Sequence, residues 1–85
     1  MKQFEYVIAD PEGIHARPAG MLVKKANEFT SNIEIKKGER TGDAKRIFSI
    51  MALAAKQGET IKVTVNGPDE AEAAEAMQNF LKENL

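Results

Sequence analysis

The sequence predicts an α+β fold, an open-faced β-sandwich in which a four-stranded antiparallel sheet carries three helices on one face. Apolar residues alternate at a period of two in several short segments and recur at helical spacing in others. These segments follow one another in the order β-α-β-β-α-β-α, and each strand is apolar on one side only. The 85 residues allow one domain over 1–85 with one small core.

Four segments have the pattern of strands, and they lie at 2–9, 31–37, about 40–43 and 60–65. The third is a short edge strand, because the surrounding stretch contains two glycines and favours a turn. The residues predicted to face the core are Phe4, Tyr6, Ile8, Ile33, Ile35, Ile61, Val63 and Val65.

Three segments have the pattern of helices, and they lie at about 16–27, 47–53 and 70–84. Pro18 fits the first turn of the first helix, where its missing N–H removes no intrahelical bond. Asp69 is predicted to cap the last helix. The predicted core stripes are Ala19, Leu22, Val23, Ala26 and Phe29, then Ile47, Ile50 and Leu53 or Ala54, then Ala73, Met77, Phe80 and Leu81.

Composition excludes several classes of protein. With no cysteine, the chain has no disulfide, thiolate nucleophile or iron–sulfur cluster, and its one histidine makes a zinc site unexpected. The formal net charge of −1 and the mixing of basic with acidic residues argue against nucleic-acid binding. The apolar runs are too short to span a membrane, so we expect a cytoplasmic protein without membrane insertion. No nucleotide-binding motif is present, and no cofactor or metal is expected.

The segment EGIHARPAG at 12–20 contains the only histidine, His15. A turn precedes it and a helix follows, so His15 lies at or just before the helix N-cap. The positive helix end and Arg17 favour the neutral, nucleophilic ring, and they would hold the oxygens of a phosphoryl group attached to it. The alternative is an ordinary surface histidine at a helix start, with or without a role as a helix cap.

Apolar side chains left outside the core stripes suggest a partner surface. Arg17, Gly20, Met21 and Lys24 share one face of the first helix, and the second helix leaves Phe48, Met51 and Ala52 outside its stripe. Together they would form an apolar patch beside His15, rimmed by Lys24, Lys45 and Arg46. The alternative is that Phe48 and Met51 complete a small core.

Three quoted stretches carry a resemblance to a known family: GIHARPAGMLVKKANEF at 13–29, GDAKRIFSIMALA at 42–54 and GETIKVTVNGPDEAEA at 58–73. The first resembles the active-site signature of HPr, the histidine-containing phosphocarrier family of the bacterial sugar phosphotransferase system. The resemblance implies a carrier with a transient phosphohistidine rather than an independent turnover enzyme. It also implies the open-faced β-sandwich.

The resemblance assigns roles to individual residues. His15 would take a phosphoryl group on Nδ1 from phosphorylated enzyme I and pass it to IIA domains of sugar transporters. Arg17 would steady that group, and Ala16 and Pro18 would shape the helix start. The partner surface that the resemblance implies comprises Gly20, Met21, Lys24, Ile47, Phe48 and Met51. Arg46 and Ala52 join it from the exposed patch, and the small size of the chain and the need to keep this patch free favour a monomer.

One position departs from the family pattern. Many Gram-positive members have a regulatory serine directly after the lysine matching Lys45, and this chain has Arg46 there. Arginine cannot be phosphorylated in that way, and Ser49 is an alternative without other support. The sequence also leaves open a carrier of a nitrogen-related or dihydroxyacetone-type phosphorelay, or a non-catalytic regulatory binding module.

Overall fold

The computed structural model describes all residues from Met1 to Leu85. The elements follow the predicted order, and their bounds are β1 Lys2–Val7, α1 Ala16–Ala26, β2 Asn32–Lys37, β3 Arg40–Asp43, α2 Ile47–Met51, β4 Thr60–Asn66 and α3 Glu70–Asn84. No helix is long and apolar enough to cross a membrane.

The four strands form one antiparallel sheet in the order β1-β4-β2-β3. Val63 of the central strand β4 pairs with Phe4 of β1 on one side and with Ile35 of β2 on the other. Val63 is fully buried, whereas its neighbour Lys62 points to the opposite, exposed face. The sheet is therefore covered on one face and open on the other, as the alternating pattern predicts.

The helices cover the apolar face of the sheet. The helix α3 packs against β1, β4 and α1, while α2 packs against α1 and β3. Leu22, Ile50, Met77 and Leu81 are almost completely buried between these layers. The predicted α+β open-faced sandwich is confirmed.

Two predicted elements extend two residues beyond the observed ones, and the predictions at 16–27 and 31–37 each extend one residue beyond. The strand predicted at 2–9 ends at Val7, because the amides of Ala9 and Asp10 turn away and bond to the main-chain oxygen of Leu85 at 2.6 and 2.9 Å. The helix predicted at 47–53 ends at Met51, and Leu53, not Ala54, completes its buried stripe.

Ala54 lies in the loop between α2 and β4 with a positive φ of 52°. This left-handed conformation is costly for any residue with a Cβ. Lys37 stabilises the loop by donating from Nζ to the Ala54 carbonyl at 3.1 Å. The Glu59 carboxylate accepts the Lys56 N–H at 2.6 Å, and this bond is the main cause that lowers the pKa of Glu59.

Asp69 is the N-cap residue of α3, but its side chain does not bond to the helix. The carboxylate instead accepts the N–H groups of Thr30 and Ser31 at 3.0 and 2.9 Å and the Ser31 hydroxyl. The predicted cap is therefore correct in position and wrong in its bonding. The Ser31 hydroxyl bond is the largest cause that lowers the pKa of Asp69 to about 2.

Replacing Ala54 with glycine should raise the free energy of unfolding by about 0.5–1 kcal/mol, because relief of the strain exceeds the entropic cost of glycine. Urea unfolding measures the change. The matched control is Gly58→Ala in the same loop, where φ is +85° and open space surrounds an added Cβ. That variant should lose about 1 kcal/mol, and a gain there would contradict the argument.

Asp69→Asn should destabilise the protein in a pH-dependent way. The folded pKa of Asp69 is about 2, below its ordinary value of 3.8, so its contribution to stability is complete above pH 3.8. The contribution disappears as the pH falls through 3.8 toward about 2. Unfolding midpoints of wild type and Asp69→Asn should therefore differ at neutral pH and converge in acid, and an equal difference at both would refute this.

Glu72→Gln serves as the control for Asp69→Asn, because it removes a charge from the first turn of the same helix and leaves the bonds to Thr30 and Ser31 in place. Its unfolding midpoint should stay close to that of the wild type at every pH.

Candidate functional site

The loop before α1 delivers His15 through a tight turn. The Asp10 carboxylate accepts the Glu12 N–H at 2.8 Å, and the Asp10 carbonyl accepts the Gly13 N–H at 2.9 Å. Gly13 has a φ of +67°, which glycine adopts without strain. The aspartate and the glycine therefore reverse the chain just before the histidine.

The turn is fixed against the loop that follows α2. The Ile14 N–H donates to the Ala55 carbonyl at 3.0 Å, and the Ile14 side chain is buried. A Cβ on Gly13 would lie only 2.3 Å from the Ala55 carbonyl oxygen and 2.8 Å from Cα of Lys56. Gly13 is thus required by a close backbone approach as well as by its φ, which the sequence alone did not reveal.

His15 is the N-cap residue of α1, as predicted. Its backbone is extended, with φ −96° and ψ 179°, and its carbonyl accepts the Ala19 N–H at 2.9 Å. The imidazole makes no capping hydrogen bond, so the interpretation of His15 as a side-chain cap is wrong. The N–H groups of Ala16 and Arg17 precede the first intrahelical bond, and Pro18 has no N–H. Free backbone donors therefore lie at the helix end that carries the ring.

Two carboxylates face one nitrogen of the ring. Nε2 of His15 lies 3.3 Å from Oε2 of Glu12 and 3.8 Å from Oδ1 of Asp10. Negative charge at this distance favours a proton on Nε2, which leaves the lone pair of the neutral ring on Nδ1. The local sequence around Asp10 and Glu12 predicts only a turn, so this contact could not be predicted from it.

His15 opens into a shallow pocket of about 260 Å³ lined by Asp10, His15, Arg17, Pro18, Met21 and Asn84. Arg17 is exposed and forms no ion pair, so its guanidinium is available to an anion. Asn84 comes from the end of α3 and was also missed, since no local pattern links it to the histidine. A phosphoryl group on the ring would meet a cation and free N–H groups here.

Asp10, Glu12 and His15 also form a cluster of polar groups that could hold a metal ion, and the sequence predicts no metal. One ligand atom from each of Asp10, Glu12 and His15 lies within 4.8 Å of the others. All three side chains are at least partly exposed, and such acidic groups are common without an ion.

Comparisons with known proteins identify the family of this chain. The family described as "PTS HPr component phosphorylation site" matches residues 2–83. The chain belongs to the HPr family. The phosphocarrier protein HPr of Lysinibacillus sphaericus is 45% identical over 83 residues, which cover 98% of this chain and 94% of that protein.

Solved HPr structures also match closely. A mycoplasma histidine-containing phosphocarrier protein has a TM-score of 0.94 and 38% identity, covering 96% of this chain and 93% of that one. HPr from Thermoanaerobacter tengcongensis has a TM-score of 0.93 and 36% identity, covering 98% and 93%. The fold and the phosphocarrier family are thereby established.

In this HPr-family chain, three large apolar side chains of α1 and α2 are exposed. Phe48 is 83% exposed, Met21 44% and Met51 40%. The alternative that both side chains complete the core is therefore wrong for Phe48. Met51 is partly covered, but it too remains among the exposed residues. Their exposed area forms the apolar part of the predicted surface.

The other predicted surface residues differ in how they are placed. Gly20 and Ile47 are half-buried because α1 and α2 meet at these residues. A Cβ added to Gly20 would lie 3.8 Å from Cδ1 of Ile47. Lys24 and Ala52 are exposed. Lys45 is not a free rim cation, since its ammonium donates to the Phe29 carbonyl at 2.7 Å.

Arg46 and Ser49 bear on the missing regulatory serine. Arg46 is the N-cap residue of α2, and its Nε lies 3.8 Å from the Asp43 carboxylate. The Ser49 hydroxyl accepts the Asp43 N–H at 2.8 Å and is half-buried. Ser49 therefore has a structural partner, which argues against its use as a substitute phosphorylation site.

Proposed function

We propose that this chain is a phosphocarrier that accepts a phosphoryl group on Nδ1 of His15 from phosphorylated enzyme I. It then passes the group to IIA domains of sugar transporters. The chain acts as a cytoplasmic monomer and turns over no substrate of its own. Membership of the HPr family supports the general role, and the orientation of the His15 ring supports its site.

The position of the imidazole carries the proposal. Nε2 faces two carboxylates, which would repel the oxygens of a phosphoryl group attached there. Nδ1 is the remaining nitrogen, and the pocket beside the ring contains Arg17. The ring is 37% exposed, so a partner can reach it without displacing the core.

Arg17 and the helix start would hold the phosphoryl oxygens. A guanidinium offers paired donors in the geometry that phosphate accepts, and the free N–H groups of Ala16 and Arg17 add partial positive charge. Because the site is open, these contacts exchange with water and stay weak. Weak contacts suit a carrier, which must release the group as readily as it accepts it.

The exposed apolar surface supports protein partners. Met21 of α1 lines the His15 pocket, and Phe48 and Met51 are exposed on α2, which packs against α1. Lys24 and Arg46 on the same two helices are also exposed. Exposed aromatic and methionine side chains suit a surface that must fit more than one partner. The basic rim favours partners that are acidic at the contact.

The first test removes the proposed acceptor. Wild type incubated with enzyme I and phosphoenolpyruvate should gain an acid-labile, base-stable phosphoryl adduct, and His15→Ala should gain none because no other imidazole exists. Ser49→Ala is the control and should be labelled like the wild type. Equal labelling of His15→Ala would sink the proposal.

The second test concerns the partner surface. Phe48→Ala should weaken binding to enzyme I or to a IIA domain about tenfold, since truncating a central aromatic anchor costs at least 1–2 kcal/mol. It should change the free energy of unfolding by less than about 0.5 kcal/mol. Titration calorimetry and urea unfolding measure the two effects.

Val7→Ala is the matched control for Phe48→Ala. Val7 is an apolar side chain that is 56% exposed on the open face of the sheet. Its truncation should leave partner affinity unchanged. A loss of stability without a loss of affinity in Phe48→Ala would instead assign Phe48 to the core.

A further inference from the structure

Asp10 and Glu12 face the ring nitrogen that the proposed phosphoryl chemistry leaves unused. We propose that both are positioning residues that keep a proton on Nε2 of His15 throughout phosphoryl transfer. The inference rests on the proposed function, because it concerns how the same ring accepts and releases the group. It assigns to the two carboxylates a role beyond closing the turn.

The geometry separates the two nitrogens by charge. Oε2 of Glu12 lies 3.3 Å from Nε2, and Oδ1 of Asp10 lies 3.8 Å from it. The same Asp10 oxygen accepts the Glu12 N–H at 2.8 Å, which holds the two residues in one turn. Both carboxylates can therefore face a proton on Nε2 without a rearrangement of the chain.

The carboxylates prepare the ring to accept the group. With the proton on Nε2, the neutral ring offers the Nδ1 lone pair, which forms the new bond to phosphorus. The bond from phosphorus to the donor breaks, and the donor keeps that electron pair. The phosphorylated ring is then a cation, and Glu12 and Asp10 offset its charge.

The same proton prepares the ring to release the group. When the bond between phosphorus and Nδ1 breaks, its electron pair returns to Nδ1. Because Nε2 is still protonated, the ring departs as neutral imidazole. Without that proton it would depart as imidazolate, a far poorer leaving group. No proton has to move in either half of the transfer.

The other side chains around the ring do not replace this role. The pocket is completed by Arg17, Pro18 and Met21 of α1 and by Asn84 of α3, and only Arg17 among these is charged. Its guanidinium opposes a proton on the ring. The positive helix N-terminus acts in the same direction, so Glu12 and Asp10 supply the opposing negative charge.

The size of the effect follows from exposure. The side chain of Glu12 is 73% exposed and the ring 37%, so water screens the attraction. Removing one carboxylate should shift the protonation of the phosphorylated ring by about half a pH unit. The protonated phosphorylated ring loses phosphate faster than the deprotonated one. At alkaline pH, where the hydrolysis rate falls as the ring deprotonates, this shift corresponds to an approximately threefold slower loss of phosphate.

The experiment uses protein phosphorylated chemically with phosphoramidate, so that it does not depend on enzyme I. Because His15 is the only histidine, the adduct and its loss report on one ring. Phosphorus NMR follows hydrolysis of wild type and Glu12→Gln across roughly pH 5 to 10, a range that extends to both sides of the ordinary titration of an imidazole. The plot of hydrolysis rate against pH should move to lower pH by about half a unit in Glu12→Gln. The rate on the acid plateau should stay the same.

Two further variants keep the result decisive. Glu39→Gln removes the same charge from the turn between β2 and β3 and should superimpose on wild type. Asp10→Asn retains an oxygen for the Glu12 N–H and should shift the profile in the same direction as Glu12→Gln. Amide spectra show whether each variant keeps the fold.

The outcomes separate this inference from the proposed function. Superimposable profiles for wild type, Glu12→Gln and Asp10→Asn would overturn the inference, and so would an adduct on Nε2 of wild type. Failure of phosphorylated enzyme I to label His15 would overturn the proposed function instead. A shift in both carboxylate variants and none in Glu39→Gln supports the inference.

Discussion

The contact between the histidine loop and the loop after α2 determines where His15 lies. The Ile14 N–H bonds to the Ala55 carbonyl, and Gly13 passes so close to that carbonyl that no side chain fits between them. The helix α1 begins two residues later with its N-cap already positioned. If this contact were lost, the turn, the ring and the helix end would no longer share one geometry.

Hydrogen bonds from other parts of the chain stabilise the two loops. Lys37, at the end of β2, donates to the Ala54 carbonyl, and the adjacent Ala55 carbonyl accepts the Ile14 N–H. The main-chain oxygen of Leu85 holds the amides of Ala9 and Asp10 on the opposite side of the histidine loop. The His15 ring is 37% exposed, yet the backbone of its loop is bonded to the loop after α2 and to Leu85, directly after α3. An accessible ring on a fixed backbone suits the carrier role proposed for this chain.

The proposed function explains the charges around His15 better than stability does. Glu12 and Asp10 face one ring nitrogen, and Arg17 lines the pocket that the ring shares. In an exposed site such interactions contribute little to the free energy of folding. They can still decide which nitrogen carries a proton and which can carry a phosphoryl group. Arg46 and Ser49 bear on regulation by serine phosphorylation. Arg46 cannot be phosphorylated as a serine is, and the Ser49 hydroxyl already bonds to the Asp43 N–H.

The sequence by itself determined the order of the elements and the covered face of the sheet, and it placed His15 at or just before a helix N-cap. These features depend on hydrophobic period and on turn residues, which act between neighbours in the chain. Only the tertiary structure decided that Asn84 reaches the histidine pocket, that Lys45 is bonded to Phe29, and that Asp69 bonds to Ser31, 38 residues away. Such contacts join residues that no local pattern relates, because they form only where the packing of helices on the sheet brings distant segments together. Even the contact of Glu12 with His15, three residues apart, depended on the rotation that the turn gives to both side chains.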